Sequence, residues 1–341
     1  MSERAFRLPV RKEDGRAVES RPLSFPSGPP RTVTVVICAY TERRWISLLD
    51  AIGSLRTQRR LPDQCVVVID HNEQLFQRAQ SSLPSNIDVL ASVERPGLSG
   101  ARNTGVRFAN SDVVAFLDDD AEADPAWLEE LLAQYRQHVV GAGGVALPVW
   151  PGSDRPRWFP PEFDWVVGCS YRGLPTTVTP QRNLLGAAMS FRRSVFDEVG
   201  SFDTAMGRRL GSFPLGCEET EFALRVLGTL VGTQLMHVPL ATVRHHVAAE
   251  RARVGYFLRR CYAEGISKAA VAQRAGSKQA LSSERRYVLS TLPLGVLDGL
   301  RAGLRGDPGG FARSAMIVVG LLATTVGYLA PLALGGHRQS A

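Results

Sequence analysis

With 341 residues, 44% of them apolar and 21% charged, the chain has material for a sizeable core in one large or two smaller domains. The net charge of +7 rests almost wholly on arginine, since Lys12, Lys268 and Lys278 are the only lysines. That balance suits an anionic substrate or membrane surface, while no basic stripe interleaved with aromatics speaks for nucleic acid.

Residues 1–30 are polar and rich in Pro, Ser and Arg, and read as a flexible arm. Their start, "MSERAFRLPVRKEDGR", lacks the apolar core of a signal peptide. Cys38, Cys65, Cys169, Cys217 and Cys261 form no CxxC pair, which argues against a zinc site or a disulfide framework. Both features lead to the expectation of a reducing, cytoplasmic setting for the main domain. The β-branched run Val33 to Cys38 predicts a buried parallel strand. "WISLLDAIGSLRTQ" predicts a helix with Ile46, Leu49, Ile52 and Leu55 turned inward. Further strands follow in "QCVVVIDHN", "IDVLASV" and "DVVAFLDDD", with the helix "GLSGARNTGVRFAN" between the last two. Four such alternations in about 120 residues predict a doubly wound, mostly parallel sheet that binds ligands at its carboxyl edge.

From Pro148 to Pro180 the chain is irregular and rich in Pro, Trp and Gly, and is expected to act as a lid. "RNLLGAAMSFRRSVFDEVGSFD" predicts a strand and a helix, "CEETEFALRVLGTL" a helix, and "GTQLMHVPLATVRHH" a last strand. Residues 253–275 read as a cationic helix, and "YVLSTLPLGVLDGL" as an apolar stretch interrupted by Pro293, Gly295 and Asp298. Ala315 to Gly336 carry no charge, a length that suffices to cross a bilayer of ~30 Å. Arg301, Arg305 and Arg313 precede this segment and only His337 and Arg338 follow, so the positive-inside rule puts the preceding domain in the cytoplasm. Gly320, Gly327 and Pro331 leave a buried or re-entrant hairpin as the alternative.

Three clusters could carry chemistry. Asp118, Asp119 and Asp120 follow the fourth strand at the ligand edge. Side chains alternate there, so Asp118 and Asp120 can share a hard divalent cation while Asp119 points elsewhere. Asp124 caps the next helix. Glu218 and Glu219 open a helix, where they either complement its dipole or supply a general base. "RHH", Arg244 to His246, is an anion site, a metal-ligand pair or plain surface; spacing does not choose. "RPGLSGARNTG" surrounds Arg102 with glycines, a weak phosphate-loop signal. Arg182, Arg192, Arg193, Arg208 and Arg209 either bind an anionic group or form a solvated face.

In their order, "VVICAYTERR", "VVVIDHN", "GLSGARNTG", "FLDDDAEADPAWL", "GAAMSFRRSVFDEVGSFD" and "GCEETEFALRV" resemble glycosyltransferase family 2, inverting nucleotide-sugar transferases of GT-A fold. The insert "RWFPPEFDWVVGCSYRGLP" further resembles the subgroup that transfers glucuronic acid to a polyprenyl-phosphate-linked glucose. The resemblance covers Thr32 to His246 and implies an α/β GT-A catalytic domain over 31–248. Its nucleotide-binding half would be 31–125 and its acceptor half 126–248, followed by a helical, membrane-associated region at 249–341 with a segment at 315–336. It further implies that Tyr40, Glu42 and Asp70 meet the base, that Arg102 approaches base or diphosphate, and that Asp119 touches ribose or sugar. Asp118 and Asp120 would match the DxD motif and hold Mg2+ or Mn2+, joined by His246. Glu219 would be the base, with Glu218 sharing the acceptor contact. The expected partners are a nucleotide-sugar donor, a lipid-linked or glycan acceptor and the cell membrane, with no nucleic acid. The rival classes are a nucleotidyltransferase, which would show a Gly-rich loop after the first strand where "AYTERR" has none, and a non-catalytic membrane scaffold.

Overall fold

The structure is a computed structural model that describes residues 30–152, 154–206, 216–275 and 285–335. The remainder of the N-terminal arm, Arg208, Arg209, Lys278, His337 and Arg338 lie outside the described residues. Among the described residues nine strands form one mixed sheet: β1 (Val33–Ala39), β2 (Gln64–Ile69), β3 (Asp88–Ala91), β4 (Val113–Asp118), β5 (Ala121–Ala123), β6 (Val139–Val149), β7 (Thr179–Gln181), β8 (Met189–Arg192) and β9 (Gln234–His246). Their order is β3-β2-β1-β4-β8-β6-β9-β5, with β7 also on β9. The first four strands are parallel, as their β-branched runs require when helices cover both faces.

Alternation along β1 divides the core. Val35 and Ile37 face α1 (Trp45–Leu55) and α4 (Trp127–Leu132), while Val36 faces α3 (Leu98–Phe108) and, beyond Phe116, α6 (Glu218–Thr229). In α1 the inward stripe is Trp45, Leu48, Ile52 and Leu55, and Ile46 is 67% exposed. The expected stripe through Ile46 and Leu49 has the same period, but the larger indole of Trp45 sets the rotation. Asp124 accepts from the Ala126 N–H just ahead of α4 and so shapes the helix entry, although Ala126 itself is the cap residue.

Strand β6 gives almost no sequence signal because of its glycines, yet it runs beside β9 as far as Val149. Its ladder shifts register between Gly143 and Val145, and a Cβ on Gly144 would stand 1.9 Å from the Ala241 carbonyl oxygen. The segment expected as a lid is instead a packed wall. Trp150, Phe159 and Phe163 share a third core with Phe257, Leu292 and Ile317. Phe257 belongs to α7 (Val254–Ala275), Leu292 opens α8 (Leu292–Leu304) and Ile317 lies in α9 (Gly309–Gly335). The Trp165 indole donates to the Tyr287 hydroxyl at 3.0 Å, and that hydroxyl donates to the Glu162 carbonyl at 2.7 Å.

Gly144→Ala should therefore destabilise the fold by about 1–3 kcal/mol through overpacking. Thermal denaturation reads this as a melting point several degrees lower; an unchanged melting point contradicts the bulge assignment.

Candidate functional site

Strand pairing assembles the site. After β4 ends at Asp118 the chain turns through Asp119 and Asp120 into β5, which pairs antiparallel with β9 so that Ala121 faces His245. The His246 N–H closes the turn onto the Asp120 carbonyl at 2.8 Å. His245 is thereby set among the aspartates. Its Nε2 lies 3.2 Å from Asp120 Oδ1 and 3.7 Å from Asp118 Oδ2, and the three donor groups lie within 4.8 Å of one another. Donors in neighbouring positions of an octahedral ion with bonds of about 2.1 Å stand ~3 Å apart, so two carboxylates and an imidazole at these spacings fit Mg2+ or Mn2+.

The structure places His245, not the expected His246, beside Asp118 and Asp120. Alternation along β9 turns His246 away, and its Nε2 meets Glu122 Oε1 at 2.5 Å. Asp119 also leaves the cavity. It is 3% exposed and its Oδ1 accepts from Arg44 Nη1 at 2.7 Å, so the structure does not present it to a ribose. Asp70 is engaged as well: Oδ2 accepts from the Gly97 N–H at 2.9 Å, and Oδ1 lies 2.7 Å from His71 Nδ1, which fixes the entry to α3. Tyr40 is 38% exposed at the end of β1, its ring 5.5 Å beneath the Arg44 guanidinium, and Glu42 begins the short turn that follows.

Arg102 joins the two acidic clusters. It is 2% exposed and flanked by the rings of Phe116 and Phe202 at 5.8 and 5.7 Å. Its Nη1 donates to Glu218 Oε1 at 3.0 Å, and its Nη2 donates to the Gly186 carbonyl at 3.2 Å and lies 3.7 Å from Asp118 Oδ1. Burial works against its charge, but Glu218 and Asp118 hold it protonated more firmly than an ordinary arginine. Aspartate turn and glutamate pair, a hundred residues apart in sequence, thus meet on one cavity of about 670 Å³. Asp118, Arg102, Glu218, Glu219, Arg182 and His245 all line it.

Of the other arginines singled out, Arg192 is buried and donates to the Val139 and Arg136 carbonyls, and Arg193 pairs with Asp197. Both serve the fold. Arg182 alone of the described ones reaches the cavity.

The N-terminus of α6 is clamped by α7, which sequence reasoning did not anticipate. Cys217, in left-handed backbone at φ 71°, sends its thiol to Glu264 Oε1 at 3.4 Å, and the Gly216 N–H donates to Ser267 Oγ at 3.1 Å. Glu264 itself pairs with Arg260 at 2.8 Å and Lys268 at 3.4 Å. The pairing Cys217–Glu264 spans 47 residues, and no local pattern announces it.

Electrostatics follow from this crowding. Burial opposes the charged form of His245, but Asp120 and Asp118 more than offset it and raise its pKa to about 10. Burial likewise pushes Asp120 up, and His245, Arg44 and Arg251 bring it below the usual carboxylate range. Burial raises Asp119 to about 7 despite Arg44. Glu219, partly exposed and facing the cavity, is raised by desolvation and by the neighbouring Glu218 to about 8. That is a favourable value for a general base near neutral pH.

A mixed sheet with an Asp-X-Asp turn and an acidic helix start at its ligand edge defines a glycosyltransferase of GT-A fold. The model of the family Glycosyl transferase family 2 matches residues 34–200. Over 300 residues the chain is 31% identical to the glucosyl-dolichyl phosphate glucuronosyltransferase of Haloferax volcanii, covering 87% of this chain and 94% of that one. The chain therefore belongs to glycosyl transferase family 2, alongside the glucosyl-polyprenyl-phosphate glucuronosyltransferase-like subgroup. A probable N-acetylgalactosaminyltransferase 6 of Caenorhabditis elegans is 26% identical over 56% of this chain and 34% of its own. Among solved structures, the mannosyltransferase PcManGT from Pyrobaculum calidifontis in complex with GDP-Man and Mn2+ superposes with a TM-score of 0.57 at 18% identity. It covers 90% of this chain and 89% of that one. GalNAc-T7 with UDP, GalNAc and Mn2+ gives 0.50 at 17%, over 81% and 56%. These two likenesses support the fold. Family membership sets aside the nucleotidyltransferase and scaffold readings.

Because Asp120 and Asp118 hold the His245 proton well above the ordinary imidazole range, a divalent cation ligated by His245 would displace that proton. Mn2+ affinity should rise roughly tenfold per pH unit between 7 and 9. Calorimetry in buffers of different ionisation enthalpy should register one proton released. His245→Gln should weaken binding and flatten the slope; an unchanged slope would remove His245 from the ligand set.

Proposed function

We propose that this enzyme is an inverting transferase that moves a glucuronosyl group from UDP-glucuronate to a hydroxyl of a lipid-linked sugar, with Mg2+ or Mn2+ as cofactor. The observation that carries the reading is the single cavity that joins Asp118 and His245 at one end to Glu219 at the other through Arg102. The relative's printed name, a glucuronosyltransferase acting on glucosyl-dolichyl phosphate, supports this donor and acceptor.

Tyr40 and Glu42 stand where the base would dock, at the carboxyl end of β1, and Asp70 shapes the adjoining Gly97 backbone. Asp118, Asp120 and His245 would hold the cation, which neutralises charge on the departing diphosphate when bound. Glu219 accepts the proton of the acceptor hydroxyl as its oxygen forms a bond to the anomeric carbon. The bond from that carbon to the diphosphate oxygen breaks with its electron pair, and UDP leaves on the opposite side, which inverts the anomeric centre. Glu218 is held against Arg102 and keeps the guanidinium aimed between the two clusters. Arg182, in the same cavity, suits the sugar carboxylate or an acceptor phosphate. The packed wall from Trp165 to Pro175 shields the reacting centre from water. The five free cysteines support a catalytic domain on the cytoplasmic side, and the apolar α9 supports its association with the cell membrane.

With UDP-glucuronate and glucosyl polyprenyl phosphate in vesicles, UDP release should require Mn2+ or Mg2+ and the product should carry the inverted linkage by NMR. Asp120→Ala should abolish turnover and metal dependence together. Glu219→Gln should lower turnover by about 10²–10⁴-fold with donor affinity unchanged. In the wild type, kcat/KM for the acceptor should rise with pH up to about 8, where Glu219 loses its proton, and the variant should lack that limb. Absence of metal-dependent UDP release with any nucleotide sugar overturns the proposal.

A further inference from the structure

We infer that the outer face of α8 and α9 docks on one leaflet of an anionic bilayer, with α9 lying along the interface instead of crossing it. Among the described residues α9 is the one helix long and apolar enough to span, over Gly309–Ala330. Its exposed stripe is Phe311, Val318, Leu322, Val326 and Leu329, between 46% and 59% open, and no charge interrupts it after Arg313. Antiparallel to it, α8 exposes Leu294, Leu297, Leu300 and Leu304, with Arg301 and Arg305 exposed beside them. An apolar stripe edged by arginines is the pattern of a helix lying in a membrane surface. Asp298, on the same helix, is already paired with Arg301 at 3.3 Å and Arg172 at 3.9 Å.

The inner face of α9 excludes the spanning alternative. A Cβ on Gly327 would stand 2.0 Å from the Tyr262 carbonyl oxygen, and one on Gly265 would stand 2.1 Å from that of Thr324. The backbones of α7 and α9 therefore touch, and α7 carries Arg260, Glu264 and Lys268 at this level. If α9 crossed the bilayer, these charges and the catalytic cavity would be carried to hydrocarbon depth, which is strongly unfavourable. Leu321, Thr324, Thr325 and Tyr328 of α9 line the same cavity as Glu219, and Thr325 is exposed. The cavity thus opens beside the leaflet, where a lipid-linked acceptor can present its sugar without leaving the membrane. This last step rests on the acceptor proposed above; the docking does not.

The test uses the full chain and vesicles of phosphatidylcholine with or without phosphatidylglycerol. Flotation should be at least tenfold stronger with phosphatidylglycerol, and Leu297→Glu combined with Leu322→Glu should abolish it while circular dichroism stays unchanged. In native membrane vesicles, Asp307→Cys and Ser340→Cys should gain labelling by an impermeant maleimide from the same side, above the wild-type background. Labelling of Ser340→Cys from the opposite side only, or a chain that never floats, overturns the inference. For the acceptor step, the double glutamate variant should lose turnover on membrane-embedded acceptor and keep it on a short-chain, water-soluble analogue. Equal loss on both contradicts the leaflet-side opening, whereas a wild type inactive on both refutes the proposed function and leaves the flotation result standing.

Discussion

One buried cation organises this active site. Without Arg102, Asp118 and Glu218 would confront each other as like charges, and repulsion together with the burial of Glu218 would favour a shared proton. With Arg102 between the phenyl rings of Phe116 and Phe202, the two acidic clusters sit together and stay distinct in task. Removing one member of such a network costs more than any single contact suggests, because it strands the others as uncompensated buried charges. Arg44 plays the matching part on the far side of the aspartate turn, neutralising Asp119 and lying 3.1 Å from Asp120. Asp118, the member left half-exposed, is the one that faces the cavity.

The same principle extends to the C-terminal helices. The glutamate pair stands at the start of α6, and that start is held by Glu264, Arg260 and Ser267 of α7. Since α7 packs backbone to backbone with α9, the geometry of the proposed base is tied to the long apolar helix near the C-terminus. The candidate site and the apolar C-terminal helices are joined through buried ion pairs and close helix contact.

Local chemistry made much of the fold legible in advance. The runs at Val33, Gln64 and Val113 are dense in β-branched residues, and no helix accommodates them as well as a parallel strand covered on both faces. Alternation alone separated Asp118 and Asp120 from Asp119. Non-local pairing hid the rest. Choosing His245 over His246 required the register of β9 against β5, and one residue of slip reverses it. The commitment of Asp70 to the Gly97 N–H, the partner of Arg102 and the Cys217–Glu264 clamp depend in the same way on distant segments. Strand β6 escaped notice because the glycines its bulge needs are those that erase a strand signature. The Pro- and Trp-rich segment read as an irregular lid in sequence, but its rings pack against Phe257 of α7 in a shared core.

The central claim, that Asp118, Asp120 and His245 form the cation and diphosphate site with Glu219 across the sugar from it, is most directly tested by diffraction. Crystals of the full chain grown with UDP and Mn2+ should show one anomalous peak among those three side chains and the diphosphate oxygens, with His246 still on Glu122. A peak at Glu218 and Glu219, or one ligated by His246, would contradict it.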